Sequence, residues 1–190
     1  MKVMLAASDR GELSGFDDGF VKVVTGVGPI LASASAMKAA IENKPDIIIS
    51  IGSAGAIAGG LEIGKAYSFG KIVTPDQDLT SFHLALGSTL DPKRATLGML
   101  STMDRGSSLI LATSGRFASE ITAQHKSLKA DAADMEACGV CMAASMLAIP
   151  FFAVKLITDY VGDKSTIGKV SFNLREGRAA LSSAVASIIK

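Results

Sequence analysis

The stretch PDIIISIGSAG, residues 45–55, decides how the chain is read. Ile47, Ile48, Ile49 and Ile51 crowd around a single serine, so the apolar residues do not alternate. A strand with one wet face reads as in-out-in. A strand greasy on both faces belongs in the middle of a sheet covered on both sides, the usual place of a parallel strand. The run then stops at Gly-Ser-Ala-Gly, small residues that leave room where a ligand would approach. In open α/β sheets ligands bind beyond the carboxyl ends of the strands.

Working outward, the same grammar recurs. KVMLAA (2–7) predicts a first strand, and FVKVVTGVG (20–28) an alternating strand that turns at Gly26 and Gly28. PILASASAMKAAIEN (29–43) predicts a helix, with Pro29 at its first position. AYSFGKIVTP (66–75), GSSLILATSG (106–115) and PFFAVKLITD (150–159) predict further strands. A helix is expected over about 136–148. The tail from about Asn173 carries Leu181, Val185, Ile188 and Ile189 on one face of a last helix. Strands alternating with helices predict an α/β fold with a largely parallel sheet. No internal repeat or linker interrupts residues 1–190, so a single domain is expected.

Composition narrows the function classes. With 190 residues, 48% hydrophobic and 19% charged, the chain can bury a real core. The net charge is +1 without a basic cluster, and only 5% of residues are aromatic, so nucleic acid is not expected as a partner. Residues 137–154 form an 18-residue run without charge, near the length of a membrane span. Pro150 cuts it, and a buried helix followed by a buried strand is expected instead of membrane insertion. Cys138 and Cys141 are the only cysteines and sit three apart in an Ala-rich run. They read as buried thiols of a reducing compartment, the cytoplasm. His83 and His125 lie too far off in sequence to complete a zinc set, so neither metal nor cofactor is expected.

Polar residues collect where strands end: Ser53, Ala54 and Gly55; Thr113, Ser114 and Gly115; Thr158 and Asp159. Asp134 and Glu136 precede a helix, where acids also favour the helix dipole and cap free N–H groups. Singly, each acid reads as structural; together at one rim of a sheet they read as a site. A dinucleotide fold is disfavoured, because GVGPILAS lacks the third glycine and Asp46 begins its strand instead of ending one.

IGSAGAIAGGLEIGKAYSFGKIVTPDQDLTSF (51–82), ADMEACGVCMAA (133–144) and VKLITDYVGDKS (154–165) together resemble the nucleoside phosphorylase/nucleosidase superfamily, most closely its 5′-methylthioadenosine/S-adenosylhomocysteine nucleosidase branch. The resemblance runs along most of the chain in the right order. It implies a three-layer α/β/α sandwich with a twisted, mostly parallel mixed central sheet. It implies cleavage of the N-glycosidic bond of a purine nucleoside, a 5′-modified adenosine such as methylthioadenosine or S-adenosylhomocysteine, with water as nucleophile. Phosphorolysis, hydrolysis of futalosine and nucleoside binding without turnover are the alternatives. Many phosphorylases of the superfamily hold phosphate with an arginine two residues before the Gly-Ser motif. Ser50 stands there in this chain, which favours water over a phosphate dianion that needs a cation. Arg10 is the candidate substitute for that cation.

The resemblance also assigns roles. Asp159 matches the general acid that protonates the leaving base. Glu136 matches the carboxylate that stabilises the sugar cation and holds the ribose hydroxyls. Glu12 matches the group that activates water, with Asp9 as fallback. Met135, Asp134, Ser53, Ala54 and Gly55 would line the sugar and water pocket. Phe117 would stack on the base, with the backbone of Ala118 reading its polar edge. Phe82 resembles a residue lent to a neighbour's site, which implies a homodimer. The chain is shorter than typical members, chiefly between Phe82 and Leu100 and before Ala130, which leaves the 5′ substituent open. ADAADMEA is poor strand material. Lys155 in a buried strand reads as a paired structural cation or a partner of the site.

Overall fold

The computed structural model describes residues 1–88, 100–104 and 106–190. The shortened stretch expected between Phe82 and Leu100 lies mostly outside them. Among the described residues ten strands form one mixed sheet: β1 (Val3–Ala7), β2 (Val21–Val24), β3 (Ile47–Ser50), β4 (Ser53–Ala56), β5 (Ala66–Phe69), β6 (Lys71–Val73), β7 (Leu100–Ser101), β8 (Ile110–Thr113), β9 (Ala132–Asp134) and β10 (Phe151–Tyr160). The helices are α1 (Arg10–Leu13), α2 (Pro29–Asn43), α3 (Ala123–Ser127), α4 (Ala137–Met146), α5 (Lys164–Ile167), α6 (Val170–Glu176) and α7 (Arg178–Ile188). Pairing runs β2–β1–β3–β10–β4–β9–β8–β6–β7, with β5 antiparallel on β10. The β4–β9 and β6–β7 pairs are antiparallel and the rest of the path is parallel.

The pleat sorts the core into two layers. Met4, Ala6 and Ile48 point to one side, where they meet Ala32, Ala36 and Ala40 of α2 and Val140, Ala143 and Ala144 of α4. Val3, Leu5, Ile47 and Ile49 point to the other, where they meet Leu13 of α1 and Leu181 and Val185 of α7. Side chains that alternate along a strand thus feed two helix layers, the three-layer α/β/α sandwich expected.

Four details of the expected pattern change. The 45–55 run is not one strand: it breaks at Ile51–Gly52, where Gly52 has φ +134. β3 and β4 keep the same register on β10 across the break, Ile48 opposite Phe151 and Ser53 opposite Leu156. Likewise 66–75 splits at Gly70, where a Cβ would sit 2.0 Å from the Ser107 carbonyl oxygen. The tail is two helices parted at Gly177, where a Cβ would lie 2.5 Å from Leu156 Cδ2. And the Ala- and Asp-rich 132–134 does form a strand. Ala132 and Ala133 are buried between β4 and β8, where ladder hydrogen bonds and small size outweigh weak intrinsic preference.

Where the charge-free run 137–154 is concerned, α4 ends at Met146 and β10 begins at Phe151. No helix among the described residues is long and apolar enough to cross a membrane. Cys138 and Cys141 lie on α4 as free thiols, and burial pushes both up to about 12.

Candidate functional site

A cavity of about 180 Å³ opens where several elements end. Ser8 after β1, Ser53–Gly55 on β4, Ala133–Glu136 at the β9–α4 junction and Thr158–Asp159 on β10 line it. Phe117 and Ala118, in the loop after β8, close another side, with Val27, Val161 and Val170. The structure therefore brings together Ser53, Ala54, Gly55, Phe117, Ala118, Asp134, Met135, Glu136 and Asp159. Phe117 is 49% exposed, so it serves the cavity wall and not the core.

Glu12 is the exception among the expected residues. It is not part of the wall but stands behind it, buried. Its Oε2 accepts from the Ser8 N–H (2.8 Å) and hydroxyl (2.8 Å). Its Oε1 accepts from the Ser53 N–H (2.9 Å) and hydroxyl (3.2 Å). Gly52 is required beside it, since a Cβ there would come within 2.6 Å of Oε1. Asp9, the fallback, is exposed and caps α1 through the N–H groups of Gly11 (2.6 Å) and Glu12 (3.1 Å).

Asp159 follows a bulge in β10, which shifts register between Ile157 and Asp159 and turns the carboxylate toward Gly55. A Cβ on Gly55 would meet Asp159 Oδ2 at 2.9 Å. Burial raises the Asp159 pKa, and the Thr158 hydroxyl, donating to Oδ1 at 2.9 Å, opposes this. Glu136 opens α4 and accepts from the Gly28 N–H at the head of α2 (3.2 Å). Burial raises its pKa to about 7, with Lys155 acting against and Asp134 acting with it.

Asp134 is already committed. Its Oδ1 accepts from the Thr113 hydroxyl (2.6 Å), and its Oδ2 from the Ala137 N–H (2.9 Å) and Lys155 Nζ (3.0 Å). Ser50 is fully buried, its hydroxyl without a hydrogen-bond partner among the described residues, and Arg10 is exposed away from the wall. No lysine or arginine among the described residues lines the cavity. No group of His, Cys, Asp or Glu among them is arranged to hold a metal ion. Sequence reasoning missed Ser8, Val27, Val161 and Val170. Ser8 was recoverable from its place just past a strand; the valines carry no local signal.

A twisted α/β sheet with carboxylates gathered in a small cavity at its strand ends defines a protein built to hold a small polar ligand. The family model described as the phosphorylase superfamily matches residues 17–190. The chain belongs to that superfamily. A 5′-methylthioadenosine/S-adenosylhomocysteine nucleosidase of Staphylococcus haemolyticus (strain JCSC1435) is 26% identical over 200 residues, spanning 95% of this chain and 85% of that protein. The same-named protein of Haemophilus influenzae (strain PittEE) is 26% identical over 186 residues, spanning 90% and 80%. Among solved structures, the 5′-methylthioadenosine/S-adenosylhomocysteine nucleosidase of Neisseria meningitidis, in complex with methylthio-immucillin-A, has a TM-score of 0.82 at 18% identity, covering 100% of this chain and 98% of that one. A futalosine hydrolase of Helicobacter pylori strain 26695 has a TM-score of 0.83 at 16% identity, covering 99% and 97%. At such identities these two likenesses speak for the fold alone.

Proposed function

We propose that the protein hydrolyses the N-glycosidic bond of a purine nucleoside, a 5′-modified adenosine such as methylthioadenosine or S-adenosylhomocysteine, and releases the free base. The observation that carries this reading is a cavity walled by Asp134, Glu136 and Asp159 with no cation among the described residues of its wall. A phosphate dianion would meet carboxylates there, whereas a sugar that becomes positive as its bond to the base breaks would be stabilised. The named nucleosidase relatives support the same reading.

Adenine leaves poorly as an anion and well once protonated at N7. Asp159, its pKa lifted by burial, is the donor. Glu136 lies beneath the ribosyl ring, stabilises the developing charge and accepts from the ribose hydroxyls, with Met135 against the sugar. Phe117 stacks on the base and the Ala118 backbone reads its edge. The attacking water sits against Ser8 and Ser53, and its proton passes toward Glu12, whose carboxylate those two hydroxyls already contact. Each atom is accounted for: the glycosidic bond breaks, water oxygen joins the sugar, and one proton arrives on the base as another leaves the water.

We infer in addition a single domain over residues 1–190, a cytoplasmic location with both cysteines reduced, and a homodimer. The continuous sheet, the two free thiols and the exposed Phe82 support these in turn. The test is base release, followed by chromatography, from methylthioadenosine, S-adenosylhomocysteine, adenosine, inosine and futalosine, each with and without phosphate. Release without phosphate is expected. Futalosine is included because one of the similar structures is a futalosine hydrolase. Release only with phosphate would make the protein a phosphorylase, and binding without any release would leave it a nucleoside-binding protein.

A further inference from the structure

We propose that Lys155 is the positioning residue of this site: one buried ammonium ties together the segment that seats Glu12 and those that carry Glu136 and Asp159, and places the balancing positive charge beside Glu136. The inference rests on the nucleosidase reading for its consequence, though not for its geometry.

Lys155 is 1% exposed and sits on β10 four residues before Asp159. Its Nζ lies 3.0 Å from Asp134 Oδ2 and donates to the Ile51 carbonyl at 3.2 Å. Ile51 precedes Gly52 and Ser53, the two residues against which the Glu12 carboxylate is seated. Asp134 in turn fixes the β9–α4 junction. It is bonded to Thr113 on β8 and to the Ala137 N–H, and Thr113 Oγ1 accepts from the Cys138 N–H at 3.1 Å. Met135 and Glu136 hang between these clamps. One cation thus touches two segments that each place a carboxylate and belongs to the strand that places the third.

Stability alone does not account for such a residue. Burying an ion pair costs several kcal/mol per ion in desolvation, and apolar replacements of buried pairs are often neutral or stabilising. What the ammonium does supply is charge balance. Among the described residues, the charges that act on Glu136 are Glu12 from α1, Asp134 from β9 and Lys155 from β10, and the N–H of Gly28, which caps α2, donates to it. The Cys138 thiol on α4 is pushed up to about 12 and is neutral at pH 7. Burial first, and then the two carboxylates, press a proton onto Glu136; Lys155, the only cation among these groups, presses it off, helped by the Gly28 N–H. Lys155 stays charged: burial pulls its pKa down, but Asp134, Glu136 and Glu12 together raise it on balance. With it the Glu136 carboxyl is near its midpoint at pH 7; without it the midpoint climbs, and the protonated form, which offers the ribosyl cation no negative charge, dominates.

The measurement is a ¹³C NMR titration of the Glu136 carboxyl, assigned with Glu136→Gln, in wild type, Lys155→Met and Asp134→Asn. The midpoint should rise by about one unit or more in Lys155→Met, where an opposite charge is lost. It should fall in Asp134→Asn, where a like charge is lost and Lys155 is undivided. Base release at pH 7 from wild type, Lys155→Met and Lys155→Arg should follow the charge at position 155, with Lys155→Arg closer to wild type. Loosened packing would not move two midpoints in opposite directions. Midpoints that stay put, or that move the same way in both variants, overturn the proposal. If Lys155→Met does not fold, the fall in Asp134→Asn and a near-wild-type midpoint in Lys155→Arg decide it. If wild type releases no base while the opposite shifts are seen, the nucleosidase reading falls and the role of Lys155 in charging Glu136 stands.

Discussion

At the scale of the residue, the proposed reaction gives Asp159 and Glu136 different tasks, and their surroundings differ accordingly. Asp159 is backed by one hydroxyl and by the space over Gly55, while Glu136 is set among two helix heads and a charge cluster. Asp159→Asn should abolish base release and leave circular dichroism unchanged with no loss of Tm, since burial raises the Asp159 pKa and its ionised form costs stability; full activity in that variant would remove Asp159 from the mechanism. Glu136→Gln should slow turnover by at least about a hundredfold, the scale at which a lost electrostatic partner is felt. It should also stabilise the protein. The Glu136 carboxyl titrates at about 7 in the fold, against an ordinary 4.5. Between those values the folded chain holds a proton that the unfolded chain has released, so ionisation weakens the fold as pH rises, and the whole cost is present above pH 7. At ~1.4 kcal/mol per unit this reaches at most roughly 3–4 kcal/mol. Denaturation at pH 5 and pH 8 should therefore show Glu136→Gln gaining on wild type mainly at pH 8.

At the scale of the element, α2 and α4 touch through small residues. A Cβ on Gly139 would fall 2.1 Å from the Pro29 carbonyl oxygen and 2.9 Å from the Ser33 nitrogen. Both are backbone atoms, so no rotamer change relieves the clash. Gly139→Ala should part the two helices and cost about 1–3 kcal/mol despite alanine's better helix preference, read as a lower midpoint in urea. Because α2 presents Gly28 to Glu136, and α4 begins at it, the same substitution should raise KM for the nucleoside. On the opposite layer, Leu181→Ala empties a fully buried position and should cost about 2–5 kcal/mol, with KM little changed in the protein that remains folded.

At the scale of the whole molecule, the charge pattern of the cavity predicts that phosphate neither accelerates base release nor competes with nucleoside at millimolar concentration; saturable activation by phosphate would contradict it. Much of the rest was written locally. The two-faced apolar run at 47–51, the alanines of α2 at 32, 36 and 40, and the small or acidic residues where strands stop are legible in the sequence. Periodicity and turn chemistry act between near neighbours, so those features determined the layers, their order and the rim where a ligand binds. What tertiary structure alone decided spans long separations. It split 45–55 at Gly52 to seat Glu12, made a strand of Ala132–Asp134, and put Glu12 behind Ser8 and Ser53 instead of in the wall. It also bonded Lys155 to Ile51 across 104 residues and Gly28 to Glu136 across 108. Burial and partner charge set which acid holds a proton and which one is used up in the fold, and neither exists until the sheet has closed around them.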